Sequence, residues 1–189
     1  MTVNSTFAWM PQPAQKRLFW LSFAVTIVVL AAMNISGAPL NTAVSPAGII
    51  SFEFAGSFSY AACMMASWGE YGREVAAFNL GLDYLFLVTY SITISLGCGL
   101  VAGASRGGGR RTAAWAVPGA VLSWLLFVAA GLDAVENYAL LRAVLGSTRD
   151  LWPALARACA IPKFLIVLSG LLYMAIGAVG RIAGRLRRG

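Results

Sequence analysis

The chain has 189 residues, about the length of one domain, but 59% of them are hydrophobic and only 11% charged, against about 25% in a soluble domain. A soluble fold of this size cannot hide so much apolar surface, so the composition implies lipid as the solvent, and it excludes disorder. The sequence contains no histidine, which rules out His-ligated metal and haem centres, Ser–His or Cys–His nucleophile pairs and histidine proton relays.

In chain order, Met1 to Gln15 carries Pro11 and Pro13 and reads as irregular or surface-lying. The first apolar run, residues 18–35, is long enough to cross a hydrocarbon core of ~30 Å at 1.5 Å per residue. Lys16, Arg17, this run and Ser36-Gly37-Ala38 also trace the outline of a cleavable signal peptide, but the run is nearer the length of a span and is read as a helix. Ser36 to Pro46, with Gly37, Pro39 and Asn41, reads as a loop outside the membrane. Residues 48–68 are apolar and aromatic but contain Glu53 and many small residues. They are expected to form an interfacial or re-entrant helix rather than a span.

The second span covers about 75–104, with Gly99 and Gly103 in GxxxG spacing. Ser105 to Thr112, containing Gly107-Gly108-Gly109, is a turn without the Lys-Ser/Thr that a phosphate loop needs. The third span covers about 113–145. Gly146 to Pro153 is a second outer loop, with Trp152 as an interface anchor. The fourth span covers about 154–179, followed by Gly180 and Gly184, again in GxxxG spacing. These glycines are expected to serve close packing within one bundle rather than a dimer seam. No internal repeat of the kind found in inverted-repeat transporters is visible.

The net charge of +7 is distributed asymmetrically. Lys16, Arg17, Arg106, Arg110, Arg111, Arg181, Arg185, Arg187 and Arg188 all fall on one side of a four-span topology, and no acidic residue accompanies them. All 7 acidic residues fall on the other half, with Arg73, Arg142, Arg149, Arg157 and Lys163. By the positive-inside rule both termini are cytoplasmic. The basic tail is a topology signal in contact with anionic lipid, not a nucleic-acid patch.

Charges inside a bilayer are costly, so they pair, face the bundle interior or mark function. Asp83, Asp133, Glu136 and Lys163 lie ~12 to ~18 Å from the outer ends of their spans at 1.5 Å per residue. Because the second and fourth spans enter from outside and the third exits there, all four arrive in one layer. Asp133, Glu136 and Asn137 stand at i, i+3 and i+4, on one helix face. Asp83 shares a stripe with Tyr90, Pro162 loosens the helix ahead of Lys163, and Glu53 joins from the re-entrant segment. Four carboxylates facing one ammonium cannot all stay ionised in a dry core, so one holds its proton or water enters. Such a cluster serves either as a buried network that fixes helix order or as a site that handles a ligand. Among the cysteines, Cys98 is expected to pack as a small apolar residue, a Cys63–Cys159 bridge is sterically open, and a metal site is not expected.

The blocks Phe52-Glu53-Phe54-Ala55-Gly56, Leu82-Asp83-Tyr84-Leu85-Phe86 with Tyr90, Leu132-Asp133-Ala134-Val135-Glu136-Asn137 and Pro162-Lys163-Phe164 resemble a family of small bacterial four-span membrane proteins without an assigned activity. The likeness covers about Phe52 to Tyr173, and LDxxEN is its most specific part. It implies one site made of Glu53, Asp83, Asp133, Glu136, Asn137 and Lys163, and no particular reaction. In architecture alone the chain also resembles the sterol isomerase and sigma-2-receptor group, four-span bundles with carboxylates in an amphiphile-binding cavity, although it lacks the histidine that the isomerases use.

The expected protein is therefore an all-α four-helix bundle in the bacterial cytoplasmic membrane. Its expected role is to bind a lipid or other amphiphile from the outer leaflet through Glu53, Asp83, Tyr90, Asp133, Glu136, Asn137 and Lys163, without a cofactor. If it is an enzyme, Asp133 or Glu136, paired with Asp83 and poised by Lys163, is the acid/base of a proton transfer or isomerisation. The alternatives are a non-catalytic subunit of a larger membrane complex and, third, a proton- or ion-coupled transporter.

Overall fold

The computed structural model describes residues 4–106 and 115–186. The expected glycine turn at 107–109, the basic residues Arg110, Arg111, Arg187 and Arg188, and the start of the third span lie outside these. The described elements are helical: α1 (Gln12–Ser36), a short 3-10 turn (Ala38–Leu40), α2 (Ile49–Glu53), α3 (Phe58–Arg106), α4 (Ala116–Val144) and α5 (Leu151–Leu186). Four of them, α1, α3, α4 and α5, are long and apolar enough to cross a membrane. The protein is a multi-pass, all-α membrane protein. The outward side chains of α1 include Trp20, Val28 and Ile35, at 64%, 67% and 77% exposure. In water these would form an unprotected apolar face, whereas lipid tails satisfy them.

Several boundaries differ from expectation. The helix α1 begins at Gln12, not after Gln15, because Pro13 in the first turn forfeits an amide that has no intrahelical acceptor there anyway. For the same reason α5 starts at Leu151 and absorbs Trp152 and Pro153, which were expected in the preceding loop. The largest difference is in residues 48–68. Only Ile49–Glu53 forms a separate short helix; after non-helical residues 54–57 the rest belongs to α3, which is 49 residues long and broken at Gly69 (φ 67°, ψ −164°). That conformation is open essentially to glycine alone, and it redirects the chain without ending the run of helix.

The chain forms two compact units, and each contains a segment of every long helix. One unit comprises Val25–Val88 and Ala130–Lys163. Its core gathers Leu40, Phe52, Met65, Trp68, Leu80 and Leu140. Trp68 stacks edge-on against Phe52, with ring centroids 5.1 Å apart, and its Nε1 donates to Leu40 O (2.9 Å) and Ser45 Oγ (2.7 Å). That fixes the loop after α1 and the α2 helix onto α3, so that a segment with little regular structure of its own is held firmly.

The other unit draws on α1 up to Ala24, α3 from Thr89, α4 up to Ala129 and α5 from Phe164. The N-terminal segment is seated in it. Thr6 bonds Ser95 Oγ (2.6 Å) and Ser123 Oγ (3.2 Å), and Trp124 Nε1 donates to Asn4 O (3.0 Å). Close helix approach occurs at glycines that the GxxxG spacing does not mark, while the surroundings of Gly184 lie outside the description. A Cβ on Gly170 would lie 2.9 Å from Ile94 Cγ2, and one on Gly177 would meet Val101 at 2.5 Å. Gly103 and Gly180 face open space, and Gly99 accommodates Ser5. All three cysteines are free, so Cys63 and Cys159 are not bridged, and Cys98 and Cys159 are buried.

Candidate functional site

The polar cluster lies wholly within the unit containing Lys163. Helix periodicity does much of the assembly: Asp133 and Glu136, three residues apart on α4, project toward α5, where Lys163 follows Pro162. Pro162 has no amide hydrogen to bond the carbonyl four residues back, yet α5 continues through it. Lys163 Nζ donates to Glu136 Oε1 (2.9 Å), to Asp133 Oδ1 (3.0 Å) and, more loosely, to Glu53 Oε2 (3.4 Å). Glu53 comes from the last residue of α2, beside Phe52, which is fully buried and anchors that short helix against Trp68. The four residues are almost sealed, with Glu136 at 0% and Asp133 at 2% exposure.

Asp83 and Asn137 form the second part. Asn137 is one residue beyond Glu136 and turns its Nδ2 to Asp83 Oδ2 on α3. Asn137 thus satisfies the Asp83 carboxylate, while Asp133 and Glu136 go to Lys163. Tyr84, which sequence reasoning did not single out, donates its hydroxyl to Ala134 O (3.1 Å) and ties α3 to α4 beside this pair. Six of the seven expected site residues (Glu53, Asp83, Asp133, Glu136, Asn137 and Lys163) are thus held in one unit by these bonds. The seventh, Tyr90, is buried and belongs to the other unit.

The electrostatics of the cluster are unbalanced. Three carboxylates share one ammonium. Burial raises the Glu53 pKa above its ordinary value, and the Lys163 charge pulls it back only in part. Glu136 Oε2 is buried and receives no hydrogen bond from the described residues. Among the described residues no group of side chains is placed to hold a metal ion.

Comparison of the chain with protein-family models, curated proteins and solved structures finds no match. No family is shown for the chain, and the site is read from its own chemistry.

Proposed function

We propose that this protein binds an amphiphile in the membrane, and that the Glu53/Asp133/Glu136/Lys163 cluster takes the molecule's polar head. The observation that carries this reading is an excess of buried acceptors. Three carboxylates meet one ammonium, and Glu136 Oε2 has no donor among the described residues. Bulk water cannot supply a donor within a hydrocarbon core, and an unsatisfied buried charge costs several kcal/mol there, of order ~3 or more. A cationic or hydrogen-bond-donating head would satisfy the orphan oxygen and reduce the net negative charge. The apolar helix faces would then take the tail. In this reading the protein sits in a bacterial cytoplasmic membrane with both termini inside, and the head is gripped in the outer half of the bilayer. Proton transfer to the bound molecule by Glu136 or Asp133 is the enzymatic form of the same reading.

One observation favours a second reading, a non-catalytic subunit of a larger complex whose cluster only locks helices together. The cluster is closed, and Lys163 alone joins α2, α4 and α5. Native mass spectrometry of protein released gently from its own membrane separates the two. A bound mass of some hundreds of daltons, absent from a folded Asp133→Asn variant, supports the amphiphile site. A defined larger assembly, retained in Asp133→Asn, supports the subunit. A bare monomer from both proteins, with Asp133→Asn merely less stable, removes the ligand reading.

A further inference from the structure

A second set of polar side chains lies at the α4–α5 junction, apart from the acid cluster and unused by it. Here α4 ends in a tight reversal. Ser147 N donates to Arg142 O (3.0 Å) and Gly146 N to Ala143 O (3.1 Å), with Gly146 at φ 98°. This pair of bonds closes the helix on a left-handed glycine and folds the following residues back beside the last turn. Ser147 and Arg149 are thereby brought next to Arg142 and to Trp152 in the first turn of α5.

The result is a concavity of about 460 Å³ lined by Arg142, Leu145, Gly146, Ser147, Arg149 and Trp152. Its walls are positioned by specific contacts. The Arg142 guanidinium lies 5.5 Å from the Trp152 ring centroid, in cation–π range. Trp152 Nε1 donates to Ser147 Oγ (2.9 Å), so the serine hydroxyl hydrogen remains available to another acceptor. Tyr138 packs edge-on against Trp152, with centroids 5.8 Å apart. Among the described residues neither Arg142 nor Arg149 has a carboxylate within ion-pair distance. The nearest acid in sequence, Asp150, is directed elsewhere and accepts the Phe58 amide hydrogen at 2.7 Å.

Two unpaired guanidiniums and a hydroxyl donor around one hollow match the oxygens of a phosphate group, which arginine forks recognise with strong charge-assisted bonds. The location fits as well. The hollow spans the six-residue link between two membrane-length helices, which end at Val144 and resume at Leu151. That is the level at which lipid phosphates lie. We propose that Arg142, Ser147 and Arg149 form a binding site for a phosphate group, carried by an anionic lipid headgroup or present as soluble phosphate. The site is independent of the acid cluster and of whatever that cluster binds.

The test uses the full chain with two probes. In micelles containing equal phosphatidylglycerol and phosphatidylcholine, native mass spectrometry reads the lipid retained. In lipid-free detergent, inorganic phosphate is titrated and the melting temperature followed. The wild type is expected to retain phosphatidylglycerol preferentially or to be stabilised by phosphate. Each arginine removed should weaken that binding about fivefold, so Arg142→Gln with Arg149→Gln weakens it about 25-fold. Arg73→Gln, an exposed arginine on α3, leaves it intact. A lipid preference without a phosphate response identifies the headgroup as the source, and a phosphate response without a lipid preference identifies the soluble ion. Arg149→Gln alone keeps the test valid if loss of the Arg142–Trp152 contact disturbs folding. Absence of both responses in the wild type, or their persistence in the double variant, overturns the proposal.

Discussion

Lys163 is the residue on which the acid cluster depends, because each ion pair found among the described residues runs through its ammonium. Removing one partner of a buried charge pair leaves the other uncompensated, and this typically costs ~3–5 kcal/mol, more than replacing the whole set by apolar groups. Lys163→Met is therefore expected to lower stability in detergent by about that amount. Adding Asp133→Asn and Glu136→Gln to it should recover part of the loss. A Lys163→Met protein as stable as the wild type would mean that the ammonium does not hold the carboxylates. Glu53 gives a separate handle, since it lies outside the four spans and burial raises its pKa above the ordinary 4.5. Between 4.5 and the raised value the folded chain binds more protons than the unfolded one. The contribution of Glu53 is thus full below 4.5 and is lost as the pH rises through the folded value. The melting temperature of the wild type relative to Glu53→Gln should be most favourable in acid and should decline toward neutral pH. A difference that grows with pH contradicts the assignment.

Among the elements, α3 depends on a single unusual residue. At Gly69 the backbone lies where a side chain is strained whatever the free space, and nothing is within 4 Å of a Cβ built there. Gly69→Ala should therefore cost ~1–3 kcal/mol through the backbone alone. Gly81→Ala, on the same helix and also facing open space, has ordinary helical geometry and should be neutral or stabilising by up to ~1 kcal/mol. Chemical denaturation of the two variants in parallel decides this, and equal effects would contradict the break. The same helix shows what a sequence can and cannot reveal. The four long helices were legible because an apolar run of that length has few other fates. The meeting of Asp133, Glu136 and Lys163 was legible because helical spacing and rise fix both face and depth. The partition of the cluster was not, because whether Asn137 turns to Lys163 or to Asp83 depends on the rotation of α3 against α4. Nor was the break at Gly69, since a lone glycine in an apolar stretch looks the same whether its φ is negative or positive. The close glycines were misplaced for a related reason. GxxxG spacing marks small residues on one helix, but whether Gly177 or Gly180 meets a neighbour is decided by where Val101 sits on another.

For the whole molecule, the decisive quantity is the number of crossings, because it fixes which side of the membrane each polar group faces. The part of α3 before the break, residues 58–68, extends only ~16 Å at 1.5 Å per residue, too short for a ~30 Å core. It adds no crossing, and the count remains four candidate spans. An even number of crossings returns the chain to its starting side. The nine basic residues at 16–17, 106–111 and 181–188 are then expected to share one compartment, without an acidic residue among them. By the positive-inside rule that compartment is expected to be the cytoplasm, with the 145–150 link outside. A fluorescent protein fused after Gly189 is accordingly expected to mature and fluoresce. In a background with Cys63, Cys98 and Cys159 replaced by alanine, Thr148→Cys should react with a membrane-impermeant maleimide added to intact cells. Labelling only after permeabilisation would reverse the orientation. The acid cluster would then face the inner leaflet and the Arg142/Arg149 hollow the cytoplasm, so that the lipids and phosphate compounds able to reach each site would change together.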